Sequence, residues 1–437
     1  MPLDFKQLAG AIAFATISST TWAMQPMAPE EAAVTVETFA FYISRQFYDQ
    51  ERGQEISDNL HAALQAGEFG DITDGDVLAS ELTRRLSAYD RHFSVNFIGR
   101  QAVEAAMNTE DGQPPASPEA QMRRENFGFS SVEILPGNIG YLDLEFFWPI
   151  DAAAPTATAA LEFLGNTNAI IIDLRRNNGG SPSMVQFLAS YFLDPAEPVL
   201  LNTFLSRRDE QPRQLWSLAS HPAGNRPDIP VVILTSGNTG SAAEGLSYHM
   251  QALQRATIIG GTTAGAGNPG GLFLTDEGFS IFIATAGSRN PITGTNWEGT
   301  GVVPDIPTGA ADALDRALSF LYQDLASRVT EPSDLREIEW AQELLLAQSG
   351  QAARPGPRDL RRYTGDFGNR NFRIEGGELV YQRSGGDAIT LIPLGEHRFA
   401  LPDDNRSRFV FTLDARGNAT ALEIVRSSGS GSSYPRS

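Results

Sequence analysis

Short apolar runs alternate with helical stretches across the middle of the sequence, from about residue 126 to residue 322. The run from Val231 to Thr235 has no polar face, which is typical of a strand buried on both sides. Strands that alternate with helices form a largely parallel sheet covered by helices. The sequence therefore predicts an α/β core over residues 120–330. Its expected strands cover residues 139–146, 169–173, 231–235, 257–259 and 280–285.

Two blocks of different character flank this core. Residues 28–107 contain three helical stretches with apolar residues three and four apart, which predicts an N-terminal helical bundle. A polar, proline-bearing linker follows near residues 108–119. Residues 355–427 form short alternating runs between Gly and Asp-Asn turns, which predicts a small antiparallel β domain, a barrel or a sandwich. Residues 428–437 are rich in Ser and Gly and are predicted to be disordered.

Composition excludes several classes of function. The chain has 437 residues, enough for two or three domains at roughly 150 residues each. It carries 53 acidic against 33 basic residues, and a surface with this net charge of −20 repels phosphate backbones and anionic lipid. Nucleic-acid binding is therefore not expected. There is no cysteine, which excludes disulfides, thiolate metal sites and a cysteine nucleophile. No metal or cofactor is implied.

The N-terminus has the pattern of an export signal. An apolar run from Leu8 to Ile17 is too short to span a bilayer, which needs roughly 20 apolar residues. Small residues at Thr21 and Ala23 fit cleavage after residue 23. The alternative is a frayed first helix, since Asp4 offsets the charge of Lys6 where a more basic region is expected. The sequence predicts a signal peptide over residues 1–23 and a bacterial product that is periplasmic or secreted, without membrane insertion in its mature form.

Two glycine-rich turns follow buried strands of the core. In the first, Ser241 comes at or near the start of a helix, after two glycines that permit a tight turn. The Ala242 N–H is then free to donate, so one position supplies a nucleophile and half of an oxyanion hole. The alternative is that Ser241 merely caps the helix. In the second turn, Gly179 and Gly180 allow backbone amides to approach a ligand closely, although an ordinary turn has the same composition.

Four segments of the core, in order, carry a resemblance to a known family. They read Asp-Leu-Arg-x-Asn-x-Gly-Gly from Asp173, Thr-Ser-x-x-Thr-x-Ser-Ala-Ala-Glu from Thr235, Gly-Thr-x-x-Gly-x-Gly from Gly261 and Glu-Gly-x-Gly-Val-x-Pro-Asp from Glu298. Together they resemble the serine peptidase superfamily that contains the C-terminal processing proteases, the tricorn protease core and interphotoreceptor retinoid-binding protein. The resemblance extends to Asp90-Arg91-His92-Phe93, and it implies an α/β core of the ClpP/crotonase type.

The resemblance also bears on the identity of the catalytic base. Processing proteases of the superfamily use a Ser–Lys dyad, but the lysine position is Ala266 here and the chain's single lysine is Lys6. A Ser–Lys mechanism is therefore excluded. The tricorn-like branch uses a His and a Glu, which by resemblance are His92 and Glu298. A neutral imidazole with a pKa near ~6.5 accepts a proton at neutral pH.

The other histidines are less suited to act on Ser241. His249 is eight residues along the same predicted helix, or roughly 12 Å away at 1.5 Å per residue. His61 lies on the polar face of a bundle helix and His397 in the terminal β block. His221 lies in a loop before a proline and remains a weaker candidate.

The resemblance implies a serine-type peptidase acting on a peptide or unfolded protein. Ser241 would attack the acyl carbon with His92 as general base and Glu298 supporting it, while Ala242 and either Gly179 or Gly180 form the oxyanion hole. The tricorn-like site has a serine before its histidine, where this chain has Arg91. Glu298 then orients His92 through another group or water, or pairs with Arg91. The rival interpretation is a non-catalytic ligand-binding protein on the same fold, similar to the retinoid carriers.

Overall fold

The computed structural model describes residues 27–107, 118–209, 211–350 and 355–437. The predicted signal peptide at residues 1–23 and most of the predicted linker lie outside these described residues. Within them, no helix is both long and apolar enough to cross a bilayer. Contacts divide the chain into two compact units. The first comprises Met1–Val132, Tyr141–Asn166 and Ile171–Ala313, and the second comprises Glu133–Gly140, Thr167–Ile170 and Leu314–Ser437.

Eight helices lie in the described part of the first unit. They are α1 (Pro29–Gln46), α2 (Gln50–Gln65), α3 (Gly75–Leu86), α4 (Arg100–Met107), α5 (Pro118–Arg124), α6 (Ile150–Phe163), α7 (Pro182–Tyr191) and α8 (Ser241–Ala252). Aspartates cap α2 and α3, where Asp49 accepts the Arg52 N–H and Asp74 accepts the Asp76 N–H. The first three helices match the predicted bundle.

Twelve strands lie in the described residues before Ala313. They are β1 (Ser94–Phe97), β2 (Phe129–Leu135), β3 (Ile139–Leu144), β4 (Ala169–Asp173), β5 (Leu200–Ser206), β6 (Arg213–Trp216), β7 (Val231–Thr235), β8 (Thr257–Gly260), β9 (Gly270–Leu274), β10 (Phe279–Ala284), β11 (Ala286–Arg289) and β12 (Ile306–Pro307). The central sheet has the order β12-β8-β7-β4-β3-β2, and the β7–β8 and β8–β12 pairs are parallel. Two antiparallel sheets have the orders β1-β10-β9 and β11-β5-β6.

Strand β10 joins the bundle to the core of the first unit. Its residues Phe279, Ile281 and Ile283 belong to the same buried cluster as Phe39 of α1, and all four side chains have no solvent exposure. Burial of aromatic and aliphatic side chains is the main favourable contribution to such a junction. The bundle therefore fixes β1 and the turn before it, which carries His92, against β10.

Every residue of β4 and β7 is buried, and the turns that follow the two strands are hydrogen-bonded to each other. Thr239 donates its hydroxyl to the Leu174 carbonyl at 2.7 Å, and the Gly240 N–H donates to the Asn177 carbonyl at 3.0 Å. The predicted glycine-rich turns are thus neighbours at the carboxyl ends of adjacent strands, the edge where α/β sheets bind ligands.

The second unit contains the remaining helices and two antiparallel sheets. Its elements are α9 (Ala313–Arg328), α10 (Pro332–Gln348), α11 (Pro357–Leu360), β13 (Gly365–Phe367), β14 (Arg370–Glu375), β15 (Glu378–Arg383), β16 (Ala388–Thr390), β17 (Ile392–Gly395), β18 (Arg398–Leu401), β19 (Asp404–Leu413), β20 (Ala419–Arg426) and β21 (Gly431–Pro435). Strands β13–β16 form one sheet and β17–β21 the other, each in chain order. The predicted architecture of N-terminal helices, α/β core and C-terminal antiparallel sheets is confirmed.

Two predictions about the C-terminal region differ from the structure. Residues 428–437 were expected to be disordered, but β21 pairs with β20 along the edge of the sheet. Backbone hydrogen bonds of an edge strand do not depend on side chains, so a Ser/Gly-rich segment can form them. The division between the units falls at Ala313 and Leu314, not near residue 355, because α10 belongs with the β strands. Buried Arg408 of β19 donates to the Trp340 carbonyl at 2.6 Å and pairs with Glu343 at 3.3 Å.

Candidate active site

Ser241 is the first residue of α8, directly after the turn that ends β7. Its φ of 48° lies in the left-handed region, which costs a non-glycine residue energy and is common at functional turns. Gly240 is the N-cap, and no side chain caps the helix. The Ser241 hydroxyl is therefore not used as a cap. Its Oγ instead lies 3.2 Å from Nε2 of His92.

His92 lies between α3 and β1, in the segment Asp90-Arg91-His92-Phe93 to which the resemblance extends. Its ring stacks on Phe282 of β10, with 5.4 Å between ring centroids. Burial disfavours the charged imidazolium and lowers the pKa of His92 to about 4. The ring is consequently neutral near pH 7, the state in which Nε2 can accept a proton from Ser241.

Two carboxylates face the other ring nitrogen of His92. Nδ1 lies 3.9 Å from Oε2 of Glu298 and 3.8 Å from Oδ1 of Asp90, and it has no hydrogen-bond partner among the described residues. Glu298 accepts the Arg91 backbone N–H at 2.7 Å and the Gly267 N–H at 2.6 Å. It therefore holds the backbone next to His92 and faces the ring across a gap.

The expected alternative of an Arg91–Glu298 ion pair is not seen within the described part of the chain. The contact between these residues runs through the Arg91 backbone, while the Arg91 side chain is exposed. Among the described residues, the carboxylate of Glu298 therefore has no ion pair with Arg91, and its Oε2 faces Nδ1 of His92.

Asp90 was not predicted as a site residue, although it stands in the motif two residues before His92. It is 3% exposed and accepts the His92 backbone N–H at 2.9 Å. Burial and the nearby charge of Glu298 raise the pKa of Asp90 to about 7. An aspartate two residues before a histidine readily accepts that residue's N–H in an Asx turn, which is the sequence signal that could have identified it.

The two predicted glycines of the oxyanion hole are not equivalent. The Gly179 N–H donates to Oδ1 of Asn177 at 2.9 Å, so it is already used. The N–H groups of Gly180 and Ala242 have no acceptor within the described ranges. The absence of a side chain at Gly179 leaves room for Ser241, because a Cβ at position 179 would lie 2.7 Å from Cβ of Ser241. The free donors are therefore Gly180 and Ala242.

Glu244 is a second residue that sequence reasoning missed. It is fully buried one turn into α8, and burial raises its pKa. Its oxygens accept the Ser241 N–H at 2.8 Å and the Thr263 hydroxyl at 2.5 Å, as well as two further backbone N–H groups. Its position three residues after Ser241 is the spacing of a capping-box glutamate, which was the available signal.

Three other histidines are held in other contacts. Nδ1 of His249 lies 3.0 Å from Nδ2 of Asn290, and Nδ1 of His221 accepts the Ala223 N–H at 3.1 Å. In the second unit, Nδ1 of His397 lies 2.8 Å from the Tyr363 hydroxyl. His92 is thus the histidine that contacts Ser241 in the described structure.

Asp90, His92 and Glu298 also form a group whose ligand atoms lie within 4.8 Å of one another, a spacing that can hold a metal ion. Both carboxylates of this group already accept N–H donors, from Asn268 and His92 at Asp90 and from Arg91 and Gly267 at Glu298. These contacts make the group an anchor for His92 without requiring an ion.

Comparison with known proteins finds a match between the core and a family model. The sequence model of peptidase family S41 matches residues 138–308, which include Ser241, Glu298, Gly180 and Ala242. The matched segment is similar to the peptidases of that family. This match confirms the resemblance drawn from the four motifs.

Two curated relatives are similar to this chain over part of its length. Carboxyl-terminal-processing peptidase 2, chloroplastic, of Arabidopsis thaliana is 27% identical over 252 residues, covering 54% of this chain and 46% of the relative. A carboxy-terminal-processing protease of Bartonella bacilliformis is 27% identical over 175 residues, covering 39% and 38%. The chain spans less than half the length of these relatives.

Among solved structures, the photosystem II D1 C-terminal processing protease has a TM-score of 0.41 at 14% identity, covering 64% of this chain and 93% of that one. The tricorn protease has a TM-score of 0.43 at 11% identity, covering 68% and 37%.

Proposed function

We propose that this protein is a serine-type peptidase in which Ser241 is the nucleophile and His92 the general base. The observation that carries the proposal is the 3.2 Å contact between Nε2 of His92 and Oγ of Ser241. No lysine follows Lys6 in the sequence, so the base of the Ser–Lys branch is absent. The S41 match over residues 138–308 supports hydrolysis of peptide bonds as the reaction.

The reaction proceeds by acyl transfer. Oγ of Ser241 attacks the carbonyl carbon while its proton passes to Nε2 of His92, and the carbonyl oxygen becomes an oxyanion. The free N–H groups of Gly180 and Ala242 bind that oxyanion, which the start of α8 also stabilises. His92 then protonates the leaving amine. Water next attacks the acyl carbon while His92 accepts its proton, and His92 returns that proton to Oγ of Ser241 as the carboxylic acid leaves.

Glu298 and Asp90 support His92 in this mechanism. When Nε2 accepts the proton, Nδ1 carries the other hydrogen and needs a negatively charged neighbour. The two carboxylates lie 3.9 and 3.8 Å from Nδ1, so they favour the tautomer with hydrogen on that atom and stabilise the imidazolium as it forms. Glu298 is thus the supporting residue expected from the family, and Asp90 is a second one.

The proposed substrate is a peptide or an unfolded protein outside the cytoplasm. The relatives are named for carboxyl-terminal processing, which supports a protein substrate. Export rests on the signal pattern of residues 1–23. N-terminal sequencing of the protein recovered from the bacterial periplasm or medium tests it, and we expect the chain to begin at Met24. An unprocessed chain confined to the cytoplasm would contradict export alone.

The experiment that tests the peptidase is hydrolysis of β-casein by the full chain. Ser241→Ala should reduce the rate by a factor on the order of 10³ or more and leave the melting temperature nearly unchanged. Ser247→Ala is the matched control. It removes a hydroxyl from the same helix, where Ser247 donates to the Ala243 carbonyl, and should retain activity. A wild-type chain that binds casein without cleaving it would instead support the ligand-binding alternative.

A further inference from the structure

The segment 265–268 contains the position, Ala266, at which the Ser–Lys branch of the family carries its base. Here the Gly265 and Ala266 N–H groups donate to the two oxygens of Glu244 at 2.6 and 2.9 Å. The same carboxylate accepts the Ser241 N–H, so the segment is attached to the helix that begins with the nucleophile.

The next two residues attach the segment to the neighbours of the histidine. The Gly267 N–H donates to Glu298 at 2.6 Å, and Nδ2 of Asn268 donates to Oδ2 of Asp90 at 3.0 Å. Four consecutive residues therefore donate to three carboxylates. One carboxylate holds the Ser241 backbone, and the other two face Nδ1 of His92.

We propose that Asn268 is a positioning residue for His92 that acts through Asp90. The proposal rests on the function proposed above, since it assigns Asn268 a role in keeping the base aligned with Ser241. In the Ser–Lys branch this segment carries the lysine base. In this chain, its backbone and Asn268 instead position a histidine base that the bundle supplies.

The orientation of the Asn268 amide is fixed by its other contacts. Asn268 is 1% exposed, and its Oδ1 accepts the Ser288 N–H at 3.3 Å and Nδ2 of Asn296 at 3.1 Å. Nδ2 must therefore face Asp90. A buried carboxylate that loses a hydrogen-bond donor is costly, so removal of this amide should shift Asp90.

Asp90 fixes the position of His92 through two contacts. Its Oδ1 accepts the His92 backbone N–H at 2.9 Å and lies 3.8 Å from Nδ1 of the ring. A movement of Asp90 would therefore rotate or withdraw the imidazole from Ser241. Because alignment within a few tenths of an ångström governs proton transfer, this should reduce the chemical step more than binding.

Each element packed around Asp90 places a charged, titratable or polar group near its carboxylate. Glu298 and His92 face it within the site, Tyr48 and Arg52 approach from the bundle, and Asn268 supplies the amide. Replacing Asn268 by Asp therefore adds a second carboxyl 3.0 Å from Asp90 with little change of shape. Two carboxyls so close share a proton at low pH and repel each other once both are ionised.

The test measures how fast an ethoxy fluorophosphonate probe modifies Ser241 at pH 6 and at pH 9. The dependence of the rate on probe concentration gives the binding constant of the probe and the maximal rate of modification. Asn268→Ala should lower the maximal rate about 10-fold or more at both pH values, with the binding constant nearly unchanged. Asn268→Asp should react nearly as fast as wild type at pH 6, where a shared proton restores the hydrogen bond. It should lose activity steeply toward pH 9, where wild type does not.

The exchanged double variant Asp90→Asn with Asn268→Asp supplies the rescue of the pH dependence. Its rates are compared with those of Asp90→Asn alone, because both variants lack the Asp90 charge beside His92. The amide introduced at position 90 can accept the His92 N–H and donate to the carboxylate introduced at position 268. That carboxylate in turn accepts from Ser288 and Asn296, so the alkaline loss should disappear. Asn225→Ala is the control for loss of a partly buried amide. It donates to the Ser190 and Leu193 carbonyls at the far end of α7, roughly 15 Å along that helix from the glycine turn.

The outcomes separate this inference from the proposed function. If wild type is modified at Ser241 but the Asn268 variants behave like Asn225→Ala, the role of Asn268 is refuted and the peptidase stands. If Asn268→Asp loses activity at both pH values and the exchange does not restore it, Asn268 is not acting through its hydrogen bond to Asp90. If wild type is not modified at all, the proposed function itself fails.

Discussion

In the proposed mechanism, His92 can act as a base because burial keeps its imidazole neutral. Burial lowers the pKa of His92 to about 4, whereas the sequence suggested a transition near the ordinary value for histidine. Asp90 takes up a proton as the pH falls through about 7, which removes a negative charge beside the ring and also favours the neutral form. We therefore expect kcat/KM for casein to stay high as the pH falls below 6.5 and to decline toward pH 4. A decline centred at or above 6.5 would show that the carboxylate charges dominate over burial.

At the scale of one side chain, the sequence identified the candidate catalytic residues better than the residues that hold them in place. Ser241, His92 and Glu298 stand in motifs and are brought together by the structure. Asp90 and Glu244 were missed although their spacing to His92 and Ser241 gave a local signal, whereas Asn268 was missed because its role depends on a partner far along the chain. Asn268 meets Asp90 across 178 positions of sequence. Likewise, only the three-dimensional contacts distinguish Gly180, with its free N–H, from Gly179.

At the scale of secondary-structure elements, the junction of β7 and α8 depends on Glu244. Its four accepted hydrogen bonds hold the left-handed turn at Ser241 to the segment 263–266. In Glu244→Gln, the amide NH₂ would replace one of the accepting oxygens and leave the donors on that side without an acceptor. We expect a loss of about 1–3 kcal/mol in the free energy of unfolding, measured with urea, and reduced casein hydrolysis. Exposed Glu339→Gln is the control and should change stability by less than about 0.5 kcal/mol. Equal stability of the two variants would show that the turn does not need Glu244.

Elements were predictable where one strong local signal defined them. The buried runs of β4 and β7 were located at the residues where the structure has them, because continuous apolar sequence and glycine turns mark both ends. Strand β9, with two glycines, and the serine-rich β21 were missed. Their strand conformation comes from pairing with β10 and β20, which local sequence does not reveal.

At the scale of the whole molecule, the contacts of α10 with the C-terminal strands determine where the chain can be truncated without loss of folding. The sequence predicted a separate β domain over residues 355–427, so a chain cut after residue 354 would be expected to keep a folded core. In the structure, Ile338 and Leu344 of α10 are buried, and Arg408 and Arg398 of the sheet pair with its Glu343. Removal of residues 355–437 would leave these groups without their partners. We therefore expect the truncated chain to melt at a lower temperature and to bind a dye for exposed apolar surface, unlike a chain shortened by residues 431–437 alone. An unchanged melting temperature without dye binding would restore the boundary near residue 355.

The central claim is that a histidine of the N-terminal bundle activates a serine of the α/β core. Peptide mapping by mass spectrometry after treatment with a fluorophosphonate probe at pH 7 tests it most directly. We predict a single modified serine, Ser241, whose modification is lost in His92→Gln while the variant keeps its cooperative melting transition. Unmodified Ser241 in folded wild-type protein, or equal modification in His92→Gln, would contradict it.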